Sequence, residues 1–330
     1  MKGQPPLILG IESTAHTLGI GIVRGRDIIS DVRRTYVPIK GGIHPGESAR
    51  FLSKNFSVVL EKALKNADID KSEINGIAFS QGPGLGPCLR VGATGARAIA
   101  LKLQKPLIGV NHCVAHVELG KVLTRVKDCV TLYVSGGNTQ ISVLNQGRYR
   151  LLGETQDIAV GNMIDTVARE IGLPHPGGPV VEKIAREGNE LLDLPYTVKG
   201  MSLAFSGLLS AAVRLSTEGV RKEDLCYSLQ EIAFSMLAEV TERALLATGK
   251  KAVMVTGGVA ANAVLCEKLK MVAEENNIAF HAVPPSLAGD NGVMIAYNGL
   301  LHYQQQDFLK IRDSTVKPRW RIDEVDCPWL

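Results

Sequence analysis

No apolar run in the 330-residue chain reaches the ~18 residues that a membrane-spanning helix needs. Gly, Pro or charge interrupts each candidate first. The opening, MKGQPPLILGIES, lacks the apolar core and small-residue cleavage site of a secretory signal, so a cytoplasmic protein is expected. The six cysteines, at 88, 113, 129, 226, 266 and 327, include no CxxC pair. That removes zinc ribbons and dithiol redox motifs, and leaves small, mostly buried apolar side chains in a reducing compartment. There is no GxxxxGK[ST] loop, because GPGLGP at 82–87 has no lysine, and no GxGxxG follows the first strand. Charge of either sign is not in large excess. The net +4 is compatible with a polyanionic partner without requiring one.

What is present is a strand-rich plan that occurs twice in a chain long enough for two cores. LILGIEST (7–14) reads as a buried strand. GIGIVRGRDIISDV follows as a hairpin turning at Arg24–Gly25, then come a helix over 46–66, a strand at 74–84, a Gly- and Ala-rich helix over 87–103, and a strand at 106–112. The plan restarts with TLYVSGGNTQISVLNQGRYRLLGETQD (131–157), where LNQGRYRLL takes the place of VRGRDII. Helices fit 160–172 and 224–247, and a less regular section covers 174–222. KAVMVTGGVAAN (251–262) is a strand ending in a Gly-rich turn, IAFHAVPPS (278–286) is a strand, and a last helix begins in LAGDNG. Tandem units of this kind predict a duplicated α/β fold of the actin-like ATPase class, with a nucleotide cleft between its lobes. The expected divisions are 1–129, 130–315 with an insertion near 174–222, and a C-terminal strap over 316–330. A doubly wound Rossmann sheet is the competitor, but its first strand feeds a helix and not a hairpin.

Three Gly-rich turns offer bare backbone N–H groups to an anion: VSGGNTQ (134–140), HPGGPVVEKIA (175–185) and TGGVAAN (256–262). Singly each reads as an ordinary turn or helix start; together they point to a nucleotide site. Asn262 is placed to bond the nucleotide or its ribose, and Glu182, one turn into its helix, to accept ribose hydroxyls. Asp165 is placed to reach ribose or a phosphate-bound metal. Asp157 and Asp165 also read as helix-start acids. In GVNHCVAHVELG (109–120), His112 and His116 stand at i, i+4, so both imidazoles leave a helix on one side, as a metal requires. Either is otherwise a capping or core histidine. Asp290 follows the equivalent last strand of the second half, and a pseudo-twofold relation brings it opposite His112; two His and one carboxylate are a common divalent site with open positions. Tyr133 lies beside the phosphate turn, and Glu12 ends the first strand as a group that orients a water or the nucleophile. A metalloprotease needs HExxH, and Cys113 stands where the Glu belongs. The basic tail KIRDSTVKPRWRIDEVDCPWL (310–330) reads as a contact for RNA phosphates or a partner protein, or as a solvated strap.

In their order along the chain, GIEST, NHCVAHVE, YVSGGNTQ, FSGL, TGGVAAN, GDNG and VKPRWRIDEVD resemble the tRNA threonylcarbamoyladenosine transferase family, once labelled O-sialoglycoprotein endopeptidases. NHCVAHVE is similar to the archaeal and eukaryotic branch, the catalytic subunit of the KEOPS complex. The resemblance implies the actin-like fold and transfer of threonylcarbamoyl from threonylcarbamoyl-AMP to N6 of adenosine 37 in tRNAs reading codons that begin with adenine. It implies a divalent metal on His112, His116, Tyr133 and Asp290, with Fe(2+) the usual ion and Zn(2+) the alternative. It implies nucleotide contacts, for ATP, AMP or the donor adenylate, from Tyr133, Val134, Ser135, Gly136 and Gly137, then Asp165, Gly178, Glu182 and Asn262. It implies partners: tRNA, a kinase-like subunit and a small dimerising subunit, with no membrane. Some archaeal members carry the kinase fused at the C-terminus, which fits a chain ending on DCPWL. Gly46, in GGIHPGES, stands where the family usually has Arg, so the resemblance does not by itself assign partner or tRNA contacts to that first helix. Other classes on the same fold are a small-molecule kinase, needing a catalytic Asp and Mg²⁺, and an ATP-regulated scaffold without turnover.

Overall fold

The computed structural model describes residues 4–38 and 41–329. In chain order the elements are β1 Leu7–Glu12, β2 Thr17–Arg24, β3 Asp27–Thr35, α1 Pro45–Ala67, β4 Gly76–Gly82, α2 Gly86–Leu103, β5 Leu107–Asn111 and α3 His112–Thr124. There follow β6 Val130–Val134, β7 Thr139–Asn145, β8 Arg148–Glu154, α4 Val160–Glu170, α5 Gly177–Ala185, β9 Val198–Lys199, β10 Ser202–Leu203, α6 Ser206–Thr217 and α7 Lys222–Thr248. The last are β11 Ala252–Thr256, α8 Ala263–Glu275, β12 Ala279–Ala282, α9 Pro285–Ala288 and α10 Gly292–Gln304. Among the described residues no helix is long and apolar enough to cross a membrane.

Two compact units emerge. The first comprises Met1–Leu119, Gln146–Arg148 and Asp290–Leu330; the second comprises Gly120–Asn145 and Tyr149–Gly289. The first unit's sheet has the order β3-β2-β1-β4-β5, with β1–β2 and β2–β3 antiparallel and β1–β4 and β4–β5 parallel. All six residues of β1 and all seven of β4 are buried, which requires cover on both faces of the sheet. One face packs Leu9, Ile11, Ile20, Ile22 and Phe79 against Leu52 and Val59 of α1 and Ala93 and Ala96 of α2. The second sheet repeats the plan as β8-β7-β6-β11-β12, with β6 antiparallel to β7 and parallel to β11. Its core joins Leu132, Val134 and Val255 to Met163 and Val167 of α4 and to Phe234 and Leu237 of α7. Because the first strand of each sheet pairs antiparallel with the next, the Rossmann alternative is excluded and the duplicated plan stands.

The units divide the chain differently from the expected 1–129 and 130–315. Helix α10 lies on β1, β2, β4 and β5 of the first unit. Glycine is the reason. A Cβ at Gly10 would overlap the Ala296 backbone, one at Gly21 the Val293 backbone, and one at Gly292 the Gly21 and Ile20 backbone. Bare backbone on both sides lets the helix sit on the strands closer than any side chain permits. The irregular section near 174–222 holds α5, the short β9–β10 hairpin and α6.

Candidate functional site

The first unit contains a cluster of ionisable groups at the start of α3. Asn111 ends β5, and its Oδ1 accepts the N–H groups of Cys113 (2.9 Å) and Val114 (3.1 Å), capping the helix. His112 and His116 then stand one turn apart with ring centroids 4.7 Å apart. Asp290 immediately precedes Asn291, whose side chain caps α10 through Met294 N–H (2.8 Å). Its Oδ1 lies 3.5 Å from His112 Nε2 and 3.3 Å from His116 Nε2. One donor atom from each of the three residues falls within 4.8 Å of the others. Two imidazoles and a carboxylate at this spacing fit a divalent cation with coordination positions to spare.

Glu12 completes the cluster in a way the sequence reading did not foresee. It is fully buried, and its Oε2 lies 2.9 Å from His112 Nδ1. Its Oε1 accepts the Thr14 N–H (2.6 Å) and the Thr14 hydroxyl. A carboxylate on Nδ1 fixes the tautomer that leaves Nε2 as the ligand atom and raises its basicity. The signal was in LILGIE: an acid ending an entirely buried strand needs a partner. Burial disfavours the His112 imidazolium, but the charges of Glu12 and Asp290 outweigh it and bring its pKa up to about 9. Burial lowers His116. Burial alone raises the Asp290 carboxyl, yet the two imidazoles together hold it well below the usual range.

The second unit contains the Gly-rich turns. Tyr133 and Val134 end β6 and are buried, and Asn138 Nδ2 donates to the Tyr133 hydroxyl (3.4 Å). Ser135 N–H donates to Asn138 O (2.8 Å), while Ser135 Oγ accepts the N–H groups of Asn138 (3.0 Å) and Gly137 (3.3 Å). Gly136 and Gly137 are exposed, and a Cβ on either would meet nothing within 4 Å. Behind this turn Gly161 brings α4 close: a Cβ there would lie 2.6 Å from Ser135 O. The result is a tight, open strip of backbone beside a helix start, suited to an oxyanion.

The structure brings Asp165, Gly178, Glu182 and Asn262 to the starts of α5 and α8, and it shows what they already bond. Asp165 Oδ1 accepts Gly177 N–H (2.7 Å) and Gly178 N–H (3.3 Å). Glu182 Oε1 accepts Ala263 N–H (3.2 Å). Asn262 caps α8 through Val264 and Leu265 N–H (3.0 and 3.3 Å), and its Nδ2 donates to Gln230 Oε1 (2.7 Å). Glu182, Tyr227 and Gln230 line a cavity of about 210 Å³. Tyr227 and Gln230 were missed from the sequence; in KEDLCYSLQEIAFS they stand among other polar residues of α7, and nothing local marks them out. Asp157 lies outside this group: it accepts Phe205 N–H (2.9 Å) and Ser206 N–H (2.8 Å), anchoring the start of α6.

A family model, TsaD, described as tRNA N6-adenosine threonylcarbamoyltransferase, matches residues 27–297. The chain belongs to that family. A relative from Thermococcus kodakarensis named "tRNA N6-adenosine threonylcarbamoyltransferase" is 54% identical, over 98% of this chain and 99% of its own length. A longer relative from Methanothermobacter thermautotrophicus, named "Probable bifunctional tRNA threonylcarbamoyladenosine biosynthesis protein", is 51% identical, over 98% of this chain and 61% of its own length. Among solved structures, Thermococcus kodakarensis HypF superposes with a TM-score of 0.64 at 16% identity, covering 94% of this chain and 49% of that one. That likeness shows the fold, the two-part α/β plan of the actin-like ATPases. Family membership makes the chain a transferase of tRNA modification.

Proposed function

We propose that the chain moves the threonylcarbamoyl group of threonylcarbamoyl-AMP onto N6 of adenosine 37 in tRNA. We place it in the cytoplasm, within an assembly that includes a kinase-like protein and a small dimerising subunit. The observation that carries the proposal is the convergence of His112, His116 and Asp290 in a chain of this family. Those three residues hold a divalent ion, Fe(2+) in preference to Zn(2+). When bound there, the ion supplies Lewis-acid polarisation of a carbonyl oxygen and a counter-charge for the developing oxyanion.

The chain's own residues do the positioning. Glu12 holds the His112 ring by its Nδ1–H, and Thr14 holds Glu12. The amides of Gly136 and Gly137 receive the adenylate phosphate. Glu182, Gln230 and Asn262 receive the nucleoside, exchanging part of their present bonding for ribose and base contacts; Asp165 keeps the start of α5, with Gly178, in place. Because the donor is a mixed anhydride, AMP leaves readily, and catalysis rests on orientation and charge stabilisation. The ligand role expected of Tyr133 is decided separately, by the metal content of Tyr133→Phe.

The test is transfer to tRNA with the donor adenylate and partner proteins present, read by nucleoside analysis. His112→Ala/His116→Ala is expected to lose both the bound metal and the product nucleoside. Wild-type rates from a metal-free double variant would refute the assignment.

A further inference from the structure

The segment Leu309–Arg321 is a strap fixed by backbone bonds to the first unit. Leu309 N–H donates to Leu107 O (2.8 Å), Gln81 Nε2 to Thr315 O (2.7 Å), Lys317 N–H to Gln81 O (2.7 Å) and Gly84 N–H to Pro318 O (3.1 Å). Arg97 Nε donates to Ser314 Oγ (2.7 Å). Gly82 is where the strap passes closest, since a Cβ there would overlap the Lys317 carbonyl. The strap also reaches the cation cluster: Asn111, which caps α3 and so sets its first residue His112, donates through Nδ2 to Trp320 O (3.2 Å).

Two exposed cations of this strap, Lys317 and Arg319, and Arg90 of α2 stand without a carboxylate among the described residues. Lys317 lies over the Trp320 ring, 4.2 Å from its centroid, and no ion pair engages Lys317, Arg319 or Arg90 among the described residues. Arg90 belongs to the same surface: its Nη1 and the Pro318 ring both lie within 4 Å of the Cβ position of Gly86. The neighbouring Arg312 and Arg321 are each paired, with Asp313 (3.7 Å) and Asp323 (3.1 Å). Between Thr315 and Arg321 no large apolar side chain is exposed, so the surface lacks the anchor that a protein partner usually needs. Unneutralised cations on a fixed scaffold are instead what phosphate contacts require.

We infer that Arg90, Lys317 and Arg319 form a docking surface for the phosphate backbone of the RNA substrate, next to the helix that carries His112 and His116. The inference rests on the proposed reaction only for the identity of the RNA as tRNA.

The experiment is binding of fluorophore-labelled tRNA to the whole chain at a series of salt concentrations, read by anisotropy. Arg90→Ala/Lys317→Ala/Arg319→Ala is expected to weaken binding at low salt and to flatten the log K against log salt slope by about 2–3, at roughly 0.7–0.9 per lost phosphate contact. The triple variant Lys54→Ala/Lys62→Ala/Lys65→Ala on α1 removes the same net charge and is expected to keep the wild-type slope. Unfolding midpoint and metal content, measured on both variants, stay at wild-type values. The inference is overturned if the two variants bind alike, or if wild-type chain binds no tRNA. It is equally overturned if the strap variant keeps its tRNA slope and loses a partner subunit instead. Transfer with normal rate and unchanged slope removes this surface and leaves the reaction standing; tight, salt-dependent binding without transfer, partners present, does the reverse.

Discussion

Gly19→Ala puts one methyl group between β2 and the entry to α10. Gly19 pairs with Glu12 across the β1–β2 ladder, so the change falls beside the buried carboxylate that holds His112. A Cβ at Gly19 would lie 2.7 Å from Gly292 N, 3.0 Å from Asn291 C and 3.2 Å from Asn291 Cα, all of them backbone. Ordinary contact starts near 3.4 Å, so backbone must retreat by roughly 0.7 Å at a place where no side chain can rotate away. Overpacking of this kind costs about 1–3 kcal/mol. The retreat is largest at Gly292, two residues beyond Asp290, and falls to about 0.4 Å at Asn291 beside it, comparable with the ~0.5 Å within which a ligand set keeps its geometry. Urea unfolding and titration of chelator-stripped protein with a divalent metal measure the two effects. The expected result is a lower midpoint together with metal affinity reduced about tenfold or more. The control is Gly207→Ala in α6, where a Cβ meets nothing within 4 Å; it is expected to leave stability unchanged or raise it by up to about 1 kcal/mol. A Gly19→Ala protein with wild-type midpoint and wild-type metal affinity would refute the claim that bare strand backbone seats α10.

Glu12→Gln keeps an acceptor for His112 Nδ1–H but removes the charge, and is expected to lower metal affinity about 10–100-fold in the same titration without unfolding the chain. Asn111→Ala removes the cap of α3 and the tie to Trp320, and is expected to cost about 1–2 kcal/mol in urea unfolding. Burial pushes the Asp157 carboxyl up, but the Ser206 hydroxyl and the N–H groups of Phe205, Ser206 and Ile158 bring it down to about 2 from 3.8. A depressed acid stabilises the fold above its unfolded pKa and stops doing so as pH falls through its folded one. Asp157→Asn is therefore expected to lose stability at neutral pH and to show a flatter acid limb between 3.8 and about 2, measured by thermal unfolding across that range.

The strands and helices were largely legible because each carries a local pattern. The hairpin at Arg24–Gly25 and its counterpart at Gln146–Gly147 mark the repeat, and both sheets have the order that repeat requires. His112 and His116 were legible from helical spacing, and Asp290 from its place after the corresponding strand. Membership of α10 in the first unit was not legible, because it depends on Gly10, Gly19 and Gly21 meeting Gly292 across more than 270 residues of sequence, and an isolated glycine in a strand has many readings. Glu12 reads in the sequence as a group that orients a water or the nucleophile; its bond to His112 joins residues 100 apart and has no sequence period. Asp165, Glu182 and Asn262 read as nucleotide contacts or as ordinary helix-start residues, and the sequence does not separate the two. That Asp165 and Glu182 serve the starts of other helices, α5 and α8, has no local signal, since the same acceptors serve a helix N-terminus and a ribose.

The second unit interrupts the first in the chain, and this has a consequence for biosynthesis. Both imidazoles leave the ribosome long before Asp290, with the whole of Gly120–Gly289 translated in between. The middle of the polypeptide is free to complete its own core first, while the earliest strands wait with one glycine-lined face uncovered. A nascent chain stalled ahead of residue 290 holds two-thirds of the ligand triad and lacks its carboxylate. Ion capture by all three residues thus requires translation past residue 290.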